Sequence, residues 1–242
     1  MHLRARFFPL FLVLPGIWLW VTGCVKPTPV PLPPEEIVKH SAGRMKGLSG
    51  FHFVIDRSGA PAFLDNEGTI AFRRAEGDFV SPDCAVAKVR VITPGLVAEL
   101  SIVSIGIDYW ETNLLTGEWE ELPPNMGFNP AVLFDPKIGF QPILESDLIN
   151  IKLVGNQELE EIPGKLLYLL KGDLKGERLY EMSYGMIGPD QVSVQMWISP
   201  DTFDLYRVVI TDPPATNGEA TIWQVDFWNF GQAVTIVPPA GK

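Results

Sequence analysis

Apolar and polar residues alternate along much of the chain after residue 50, as they do in strands that bury one face. Phe51, Phe53 and Ile55 share one face of the first predicted strand. Residues 192–198 alternate in the same way. Further strands are predicted around residues 70–72, 88–91, 100–102, 149–154, 165–171, 205–211, 221–228 and 234–237. The last third of the chain therefore predicts a run of antiparallel strands.

A helix is predicted immediately before the first strand. Pro34 suits the first turn of a helix, and the acidic residues Glu35 and Glu36 complement its positive end. Apolar and small residues recur at helical spacing from residue 37 to residue 48, and Gly47 and Gly50 end the helix.

Turn residues in the middle of the chain predict a hairpin and two short helices. A hairpin at residues 115–117 joins strands at 109–112 and 119–122. Asn129 is placed to cap a helix that begins at Pro130, and a second short helix is expected near residues 142–148. The chain has no repeat of fixed period, so we expect one domain: a strongly curved antiparallel sheet with a few helices against one face.

The first 24 residues have the three-part layout of a secretory signal. Arg4 and Arg6 form a positive start, an apolar stretch runs from residue 7 to residue 21, and Gly23 precedes Cys24. The apolar stretch is shorter than the ~20 residues that span a bilayer. We therefore expect residues 1–23 to be removed as a lipoprotein signal peptide and Cys24 to be lipidated. The alternatives are a plain secretory signal and a cytosolic protein with an unusual start.

Proline occupies nearly every second position from residue 27 to residue 34. Such a segment stays extended and does not pack as helix or sheet. Residues 24–34 are therefore interpreted as a lipidated cysteine with a proline-rich tether, and residues 35–242 as a single folded domain. Two or more acyl chains hold a protein on a membrane without a basic patch.

The charge balance excludes some partners. The chain carries 19 Lys and Arg against 29 Asp and Glu, a net charge of −10. Loss of Arg4 and Arg6 with the leader would take this to −10 − 2 = −12. Such a chain is not expected to bind nucleic acid, which requires clustered cations. Cys84 is expected to be an unpaired, buried small apolar residue and not a reactive thiol.

No catalytic or metal-binding motif is present. His40 and His52 stand apart from any Cys or His cluster, and the chain lacks nucleophile-elbow and phosphate-loop motifs. Acidic residues near 118–121 and 158–161 are interpreted as solvated charge, and Asp56, Asp65 and Glu67 lack calcium-loop spacing. We therefore expect no enzyme, cofactor or metal, with a glycan hydrolase that uses two carboxylates as the remaining catalytic alternative.

Aromatic residues are the sequence feature that points to a function. They are spread through the predicted strands, and most are expected to form an ordinary core. A large sheet with few helices nevertheless leaves much apolar surface to cover. A hydrophobic cavity between sheet and helices is one solution, and it would bind an apolar ligand. The tryptophans in predicted strands are Trp110, Trp119, Trp197, Trp223 and Trp228.

Several segments resemble the LppX/LprAFG lipoprotein family over residues 35–238. They are Cys24 with its tether, residues 50–53, residues 68–72, Trp119, residues 129–136, Gly139-Phe140, Gly164 with the strand after it, residues 194–198 and residues 205–210. The resemblance implies an open half-barrel antiparallel sheet with helices on its concave face, similar to the LolA and LolB carriers. It also implies an apolar cavity that shields acyl chains.

Strand alternation gives candidate cavity residues, and a shift of one residue would exchange the whole set. The candidates are Val89, Val91, Leu100, Ile102, Met196 and Ile198. We expect a monomeric carrier at the cell membrane, anchored through acylated Cys24, as the leader indicates, and facing outside the cytoplasm. Its expected partners are a lipid or glycolipid ligand and an envelope transporter. The alternative is a structural or assembly lipoprotein that binds a protein partner or an envelope polymer.

Overall fold

A computed structural model describes residues 32–123, 128–214, 218–232 and 234–240. Residues 32–242 group into one compact unit. The predicted signal peptide, Cys24 and the tether up to residue 31 lie outside the described residues. None of the helices within the described ranges is long and apolar enough to cross a bilayer.

Eleven strands and four helices make up the described part of the chain. The helices are α1 (Pro34–Lys46), α2 (Pro130–Leu133), α3 (Phe140–Ser146) and α4 (Gly176–Met182). The strands are β1 (Gly50–Gly59), β2 (Ala71–Val80), β3 (Cys84–Thr93), β4 (Leu96–Ile105), β5 (Asp108–Thr112), β6 (Trp119–Leu122), β7 (Leu148–Gln157), β8 (Leu167–Leu174), β9 (Val192–Ile198), β10 (Leu205–Asp212) and β11 (Thr221–Trp228).

The strands form one antiparallel sheet that does not close into a barrel. Its order is β6-β5-β4-β3-β2-β1-β11-β10-β9-β8-β7, so β6 and β7 are its edges. Two meanders, β1–β6 and β7–β11, join where β1 pairs with β11, with Phe53 opposite Phe227. The predicted fold class, a mainly β open sheet with a few helices, is confirmed.

One sequence prediction about an element was wrong, and a second, the short helix near 142–148, is confirmed with bounds two residues earlier. Residues 234–237 are not a strand: the preceding strand β11, with which they would form a hairpin, already pairs with β1 and β10 on its two sides. The second short helix covers Phe140–Ser146 and not 142–148, since Leu148 already begins β7. Helix α4 was not predicted at all, because its seven residues are too few to show a clear helical period.

The two faces of the sheet differ in what covers them. The face that we call the inner face carries the main apolar core, and the helices pack against it. Helix α1 lies on α3 and β7, and α2 lies on β3. On the outer face, a smaller apolar cluster of Leu159, Leu167, Leu169 and Trp197 lies against the sheet.

Candidate functional site

An apolar hollow of about 60 Å³ lies on the inner face, between the sheet and two connecting segments. The sheet contributes Ile55, Phe72, Ile210, Trp223, Val225 and Phe227. The connections contribute Phe128, Leu133, Phe134 and Phe140 from the β6–β7 connection, and Met182, Met186 and Ile187 from the β8–β9 connection. Every lining side chain is apolar or aromatic, so the hollow suits hydrocarbon and excludes ions.

Strand alternation places the sheet side of the hollow. Trp223, Val225 and Phe227 follow each other at two-residue spacing on β11, so all three point to the inner face. Ile210 on β10 is directly opposite Trp223, and Ile55 on β1 is directly opposite Val225. Three adjacent strands therefore form one continuous apolar wall.

Phe134 closes the hollow from the helix side. It follows α2, and its side chain is 4% exposed. Its ring centroid lies 4.9 Å from that of Phe53, 5.1 Å from that of Phe51 and 5.9 Å from that of Phe227. The Phe134 ring therefore occupies the middle of the inner face and fills the space beside the hollow.

The cap of α2 positions Phe134. The Asn129 side-chain carbonyl oxygen accepts a hydrogen bond from the Ala131 backbone N–H at 2.9 Å, and Pro130 is the first helical residue. This is the cap predicted from the sequence, and it satisfies one of the free N–H groups at the helix start. This helix has only four residues, and Leu133 at its end and Phe134 directly after it both line the hollow.

The second connection reaches the hollow through a tight turn after α4. Tyr184 has a φ of 54° and Gly185 a φ of 79°, so the chain reverses here and returns Met186 and Ile187 to the lining. The Tyr184 ring lies 6.3 Å from that of Phe128, which brings the two connections together. The methionine side chain is flexible, so Met182 and Met186 can change conformation within the lining of the hollow.

Trp223 introduces the one hydrogen-bond donor among the side chains that line the hollow. The residue is 5% exposed, and its indole Nε1–H is buried without a hydrogen-bond partner. A buried donor that lacks a partner costs about 1–3 kcal/mol. Its ring lies 5.4 Å from that of Phe72.

Arg57 lies next to Trp223 on the same face of the sheet. The two residues are directly opposite each other on β1 and β11, and Arg57 is 6% exposed. Its guanidinium donates to the carbonyl oxygens of Phe72, Gly59 and Ala60 at 2.7, 3.0 and 2.7 Å. Burial lowers the pKa of Arg57, and nearby Arg73 lowers it further. Glu219 acts in the opposite direction, so Arg57 is a buried cation beside the hollow, held by backbone carbonyl oxygens and opposed by a nearby carboxylate.

All six residues predicted from alternation as cavity candidates are buried in the main core. They are Val89, Val91, Leu100, Ile102, Met196 and Ile198, and none is more than 8% exposed. None of them lines the hollow, which lies over β1, β2, β10 and β11 instead. Their role as ligand contacts stays a prediction.

Phe134, Met182 and Met186 were missed as lining residues because alternation describes only strands. Phe134 lies within the segment 129–136 that carries the family resemblance, and this was the only sequence signal for it. Trp223 was noted among the strand tryptophans, but nothing in the sequence shows which of them faces the hollow.

The other candidate groups lie away from the hollow. His40 is exposed on α1. His52 Nδ1 lies 2.8 Å from Asp78 Oδ1 on the outer face, with its ring 4.5 Å from that of Trp228. Cys84 is half-buried and unpaired, and burial together with Asp83 raises the pKa of its thiol. The described residues contain no group of three or more His, Cys, Asp or Glu placed to hold a metal ion.

A larger groove of about 590 Å³ lies on the outer face, and both charged and apolar side chains line it, among the apolar ones Leu159, Tyr206 and Trp228. Arg207 donates to a Glu161 oxygen at 2.7 Å and also pairs with Asp226, and Arg74 pairs with Asp56. These ion pairs lie among apolar side chains, so the groove has a mixed lining, unlike the wholly apolar hollow.

Comparisons with known proteins agree with this architecture. The family model described as LppX_LprAFG lipoprotein matches residues 33–236. The crystal structure of LprF from Mycobacterium bovis superposes with a TM-score of 0.68 at 19% identity, covering 87% of this chain and 99% of LprF. The Mycobacterium tuberculosis lipoprotein LppX gives a TM-score of 0.59 at 16% identity, with 84% and 98% covered. No curated protein sequence matches the chain.

Proposed function

Because the chain belongs to the LppX_LprAFG lipoprotein family, we propose that it binds the acyl chains of a lipid or glycolipid on its inner face. In this role it carries or presents that lipid in the cell envelope. The observation that carries the proposal is the hollow lined entirely by apolar and aromatic side chains, on the helix-covered face of an open sheet.

A bound acyl chain must enlarge the hollow, since about 60 Å³ is far below the ~300–1,000 Å³ of pockets that enclose drug-sized ligands. The elements that move are the two connections that carry Phe134 and Met186, because the sheet wall is held by strand pairing on both sides of β11. Ligand binding thus replaces part of the protein's own apolar filling with hydrocarbon.

For a lipid monomer that starts in water, the free energies favour this exchange. Burial of hydrocarbon contributes about 0.8 kcal/mol per methylene, so a chain of about 15 methylenes gains roughly 12 kcal/mol. Displacing Phe134, Phe128 and Met186 into water costs about 1.5–3 kcal/mol each, or about 5–9 kcal/mol together. The acyl chain therefore offsets the cost of opening the hollow and leaves a surplus for binding.

The membrane attachment is part of the same proposal. Lipidation of Cys24 after removal of residues 1–23 would place the domain outside the cytoplasm, at the end of a proline-rich tether that covers residues 24–34. At about 3.1 Å per residue, ten such residues reach ~30 Å. The domain would then stay close to the bilayer from which an acyl lipid is taken.

Extraction of bound lipid tests the proposal. The compact unit, residues 32–242, is purified without detergent after secretion, and its organic extract is analysed by mass spectrometry. We expect one or a few acyl lipids in proportion to protein. Protein free of lipid would contradict the proposal.

Two matched valine variants localise the lipid. Val225 lines the hollow, whereas Val209 is half-buried against the outer-face cluster on the neighbouring strand. We expect Val225→Phe to reduce the recovered lipid several-fold, because the larger ring fills the hollow, and Val209→Phe to leave it unchanged. Equal recovery from both variants would place the lipid elsewhere.

The small volume of the hollow favours one second candidate, a structural lipoprotein that binds a protein partner or an envelope polymer. In that case the inner face is permanently filled by its own side chains, with Phe134 at the centre. The extraction experiment separates the two functions, because this candidate predicts no lipid in any variant.

A further inference from the structure

The turn between β3 and β4 exposes several large apolar side chains. Leu96 is 60% exposed and Val97 is 58% exposed, and Ile92 is exposed as well. Residues 91–98 include no charged residue. We call the end of the sheet that carries this turn the apolar end. Contiguous exposed apolar side chains mark contacts with a membrane or with another protein.

Strand pairing extends this group sideways across the outer face. Val97 is directly opposite Ile92, and Ile92 is directly opposite Ala71. Ala71 in turn forms an isolated bridge with Phe63, which is exposed. Val91 is buried in the core on the inner face, so its neighbour Ile92 and the residues opposite it face outwards. The apolar end therefore carries a continuous row of apolar side chains.

Cationic side chains lie behind this apolar row. Arg90 precedes Ile92 by two residues, so it lies about 6.6 Å further from the apolar end. Amphipathic segments at a bilayer bury their apolar side chains about 5–10 Å into the boundary between head groups and acyl chains. Arginines at this distance lie at the level of the lipid phosphates when the apolar row is inserted. A depression of about 410 Å³ joins Ile92 and Val97 to these arginines, and its polar lining is Asp56, Arg73, Arg74 and Arg90.

Arg90 keeps donors for a phosphate. Its guanidinium lies 3.5 Å from a Glu99 carboxylate oxygen, and its side chain remains half exposed. A guanidinium has five N–H donors, and one carboxylate accepts at most two of them in a paired geometry. The ion pair therefore leaves part of the group available to a second anion.

The folded domain also begins on the side of the apolar end. Helix α1 ends at the opposite end of the sheet, where Arg44 donates to Asp204 at 2.7 Å beside the β9–β10 turn. Its 13 residues run back over about 20 Å, and Glu35 in its first turn shares a groove with Asn150 and Asp173. Antiparallel pairing places the start of β7 and the end of β8, and with them these two residues, towards the apolar end. The tether therefore joins the domain on this side.

We propose that the apolar end is the surface that rests on the bilayer, with Ile92, Leu96 and Val97 inserted between lipid head groups. The inference rests on the proposed anchor at Cys24 and adds a second, non-covalent contact to it. The connection between β8 and β9, which lines the hollow with Met182 and Met186, lies at the same end of the sheet. A domain held in this way keeps the proposed lipid site close to the membrane.

The extent of the exposed row favours a bilayer over a protein partner. A stable protein interface buries about 800 Å² on each partner, which a row of four large apolar side chains does not supply. A tethered domain needs only a weak contact, because the anchor keeps its local concentration at the membrane high. The row is sufficient for that purpose.

Fluorescence quenching on vesicles tests the contact. The mature chain, residues 24–242 with Cys84→Ser, is coupled through Cys24 to a maleimide lipid in phosphatidylcholine vesicles. A fluorescent amino acid replaces either Leu96 or Ile107, and a nitroxide on the lipid acyl chain near the head group quenches it. Ile107 is the matched control, because it is 79% exposed in the β4–β5 turn at the opposite end. We expect several-fold stronger quenching at position 96 than at position 107.

Threonine variants show whether the apolar row causes the contact. With the probe at position 96, the double variant Ile92→Thr and Val97→Thr should lose most of the quenching. Threonine is also β-branched, so both strands keep a residue suited to them. Ile107→Thr should leave the quenching unchanged, and urea denaturation of each variant confirms that the fold is intact.

The outcomes separate this inference from the proposed function. Equal quenching at the two positions, or none at position 96, would overturn the bilayer contact, and the latter would leave the apolar end to a protein partner. Quenching that persists in the double threonine variant would exclude the apolar row as its cause. Lipid recovery in the extraction experiment is measured without vesicles, so acyl binding stands or falls independently of these results.

Discussion

A Cβ atom added to Gly77 in β2 would lie 1.9 Å from the Val86 carbonyl oxygen and 2.7 Å from the Ala87 Cα on the adjacent strand β3. Both distances are far inside van der Waals contact, so a side chain here forces the strands apart. By contrast, a Cβ added to Gly43 in α1 meets nothing within 4 Å. The two glycines thus have opposite structural roles.

We expect Gly77→Ala to lower the free energy of unfolding by about 1–3 kcal/mol, the usual cost of overpacking. Gly43→Ala should raise it by about 0.5–1 kcal/mol, because alanine loses less backbone entropy in a helix. Urea denaturation of residues 32–242 measures both changes. A neutral Gly77→Ala variant would show that β2 and β3 are not packed as described.

Glu111 makes the free energy of unfolding depend on pH. The Tyr109 hydroxyl donates to Glu111 Oε2 at 2.9 Å, and the carboxyl is half-buried. Burial raises the pKa of Glu111, the Tyr109 hydrogen bond lowers it in part, and Glu120 raises it further. The folded state therefore holds its proton to higher pH than the unfolded state does, so stability is lost as the pH rises through this pKa.

Glu111→Gln removes this titration and keeps an acceptor for Tyr109. We expect the stability of the variant relative to wild type to increase between about pH 4 and about pH 7, the range above the ordinary pKa of a glutamate. Chemical denaturation at the two pH values measures the difference. A relative stability that falls over this range would contradict the direction of the shift.

The facing of individual strand residues could be predicted from the sequence, and the partners of Trp223 could not. Val89 and Val91 alternate with Lys88 and Arg90, and this pattern alone indicates which side is buried. The unpaired N–H of Trp223 depends on which residues lie opposite it on β1 and β10. These strands are far apart in sequence, so no local pattern carries that information.

At the scale of elements, α2 depends on its cap. It has only four residues, too few to be stable alone, and the Asn129 side chain supplies one of its few stabilising contacts. We expect Asn129→Ala to cost about 1 kcal/mol in thermal or urea denaturation. Asn129→Asp, which keeps an acceptor oxygen, is the control and should cost much less; equal losses would exclude capping as the cause.

The segment that carries Phe134 should also control how well the hollow binds lipid. We expect Phe134→Ala to lower the free energy of unfolding by about 3–5 kcal/mol, because a buried ring with four aromatic neighbours leaves a cavity. The same variant should bind diacylglycerol more tightly, since the ligand no longer displaces the ring.

Trp228→Ala is the matched control, because Trp228 is 38% exposed on the outer face. It should lose much less stability and bind lipid as the wild-type chain does. Weaker lipid binding by Phe134→Ala would contradict the view that Phe134 and the ligand compete for one space.

Among the elements, those with a strong period or clear turn residues could be predicted close to their observed bounds. The hairpin predicted at 115–117 joins β5 to β6, and the helix predicted from Pro34 is α1. The strand predicted at residues 234–237 is absent, because apolar character alone does not provide a neighbouring strand with which to pair. The order of the eleven strands could not be predicted from the pattern, because the pairing of β1 with β11 joins segments about 170 residues apart.

For the molecule as a whole, an open sheet leaves two edges that must avoid pairing with other chains. Edge strand β6 carries the exposed Glu120 and Glu121, and edge strand β7 carries the exposed Lys152 and an irregular register. Charges and bulges on edge strands oppose aggregation. The sheet can therefore stay open without pairing through its edges.

The proposed anchor adds a prediction at this scale. Cells that express the full chain and are fed an alkyne-tagged fatty acid should yield labelled protein in the membrane fraction. We expect Cys24→Ser to abolish the label and the membrane association together, because stable anchoring needs the acyl chains. Cys84→Ser should retain both, and label on the Cys24→Ser protein would contradict the proposed site.

Photo-crosslinking tests most directly whether acyl chains enter the inner face. A diacylglycerol with a diazirine in one chain is bound to residues 32–242, irradiated, and the labelled peptides are identified by mass spectrometry. The account predicts labels on peptides that contain Phe134, Met186 and Phe227, and a loss of label in Val225→Phe. Labels confined to outer-face residues around Trp197 and Tyr206, or no label at saturating lipid, would contradict it.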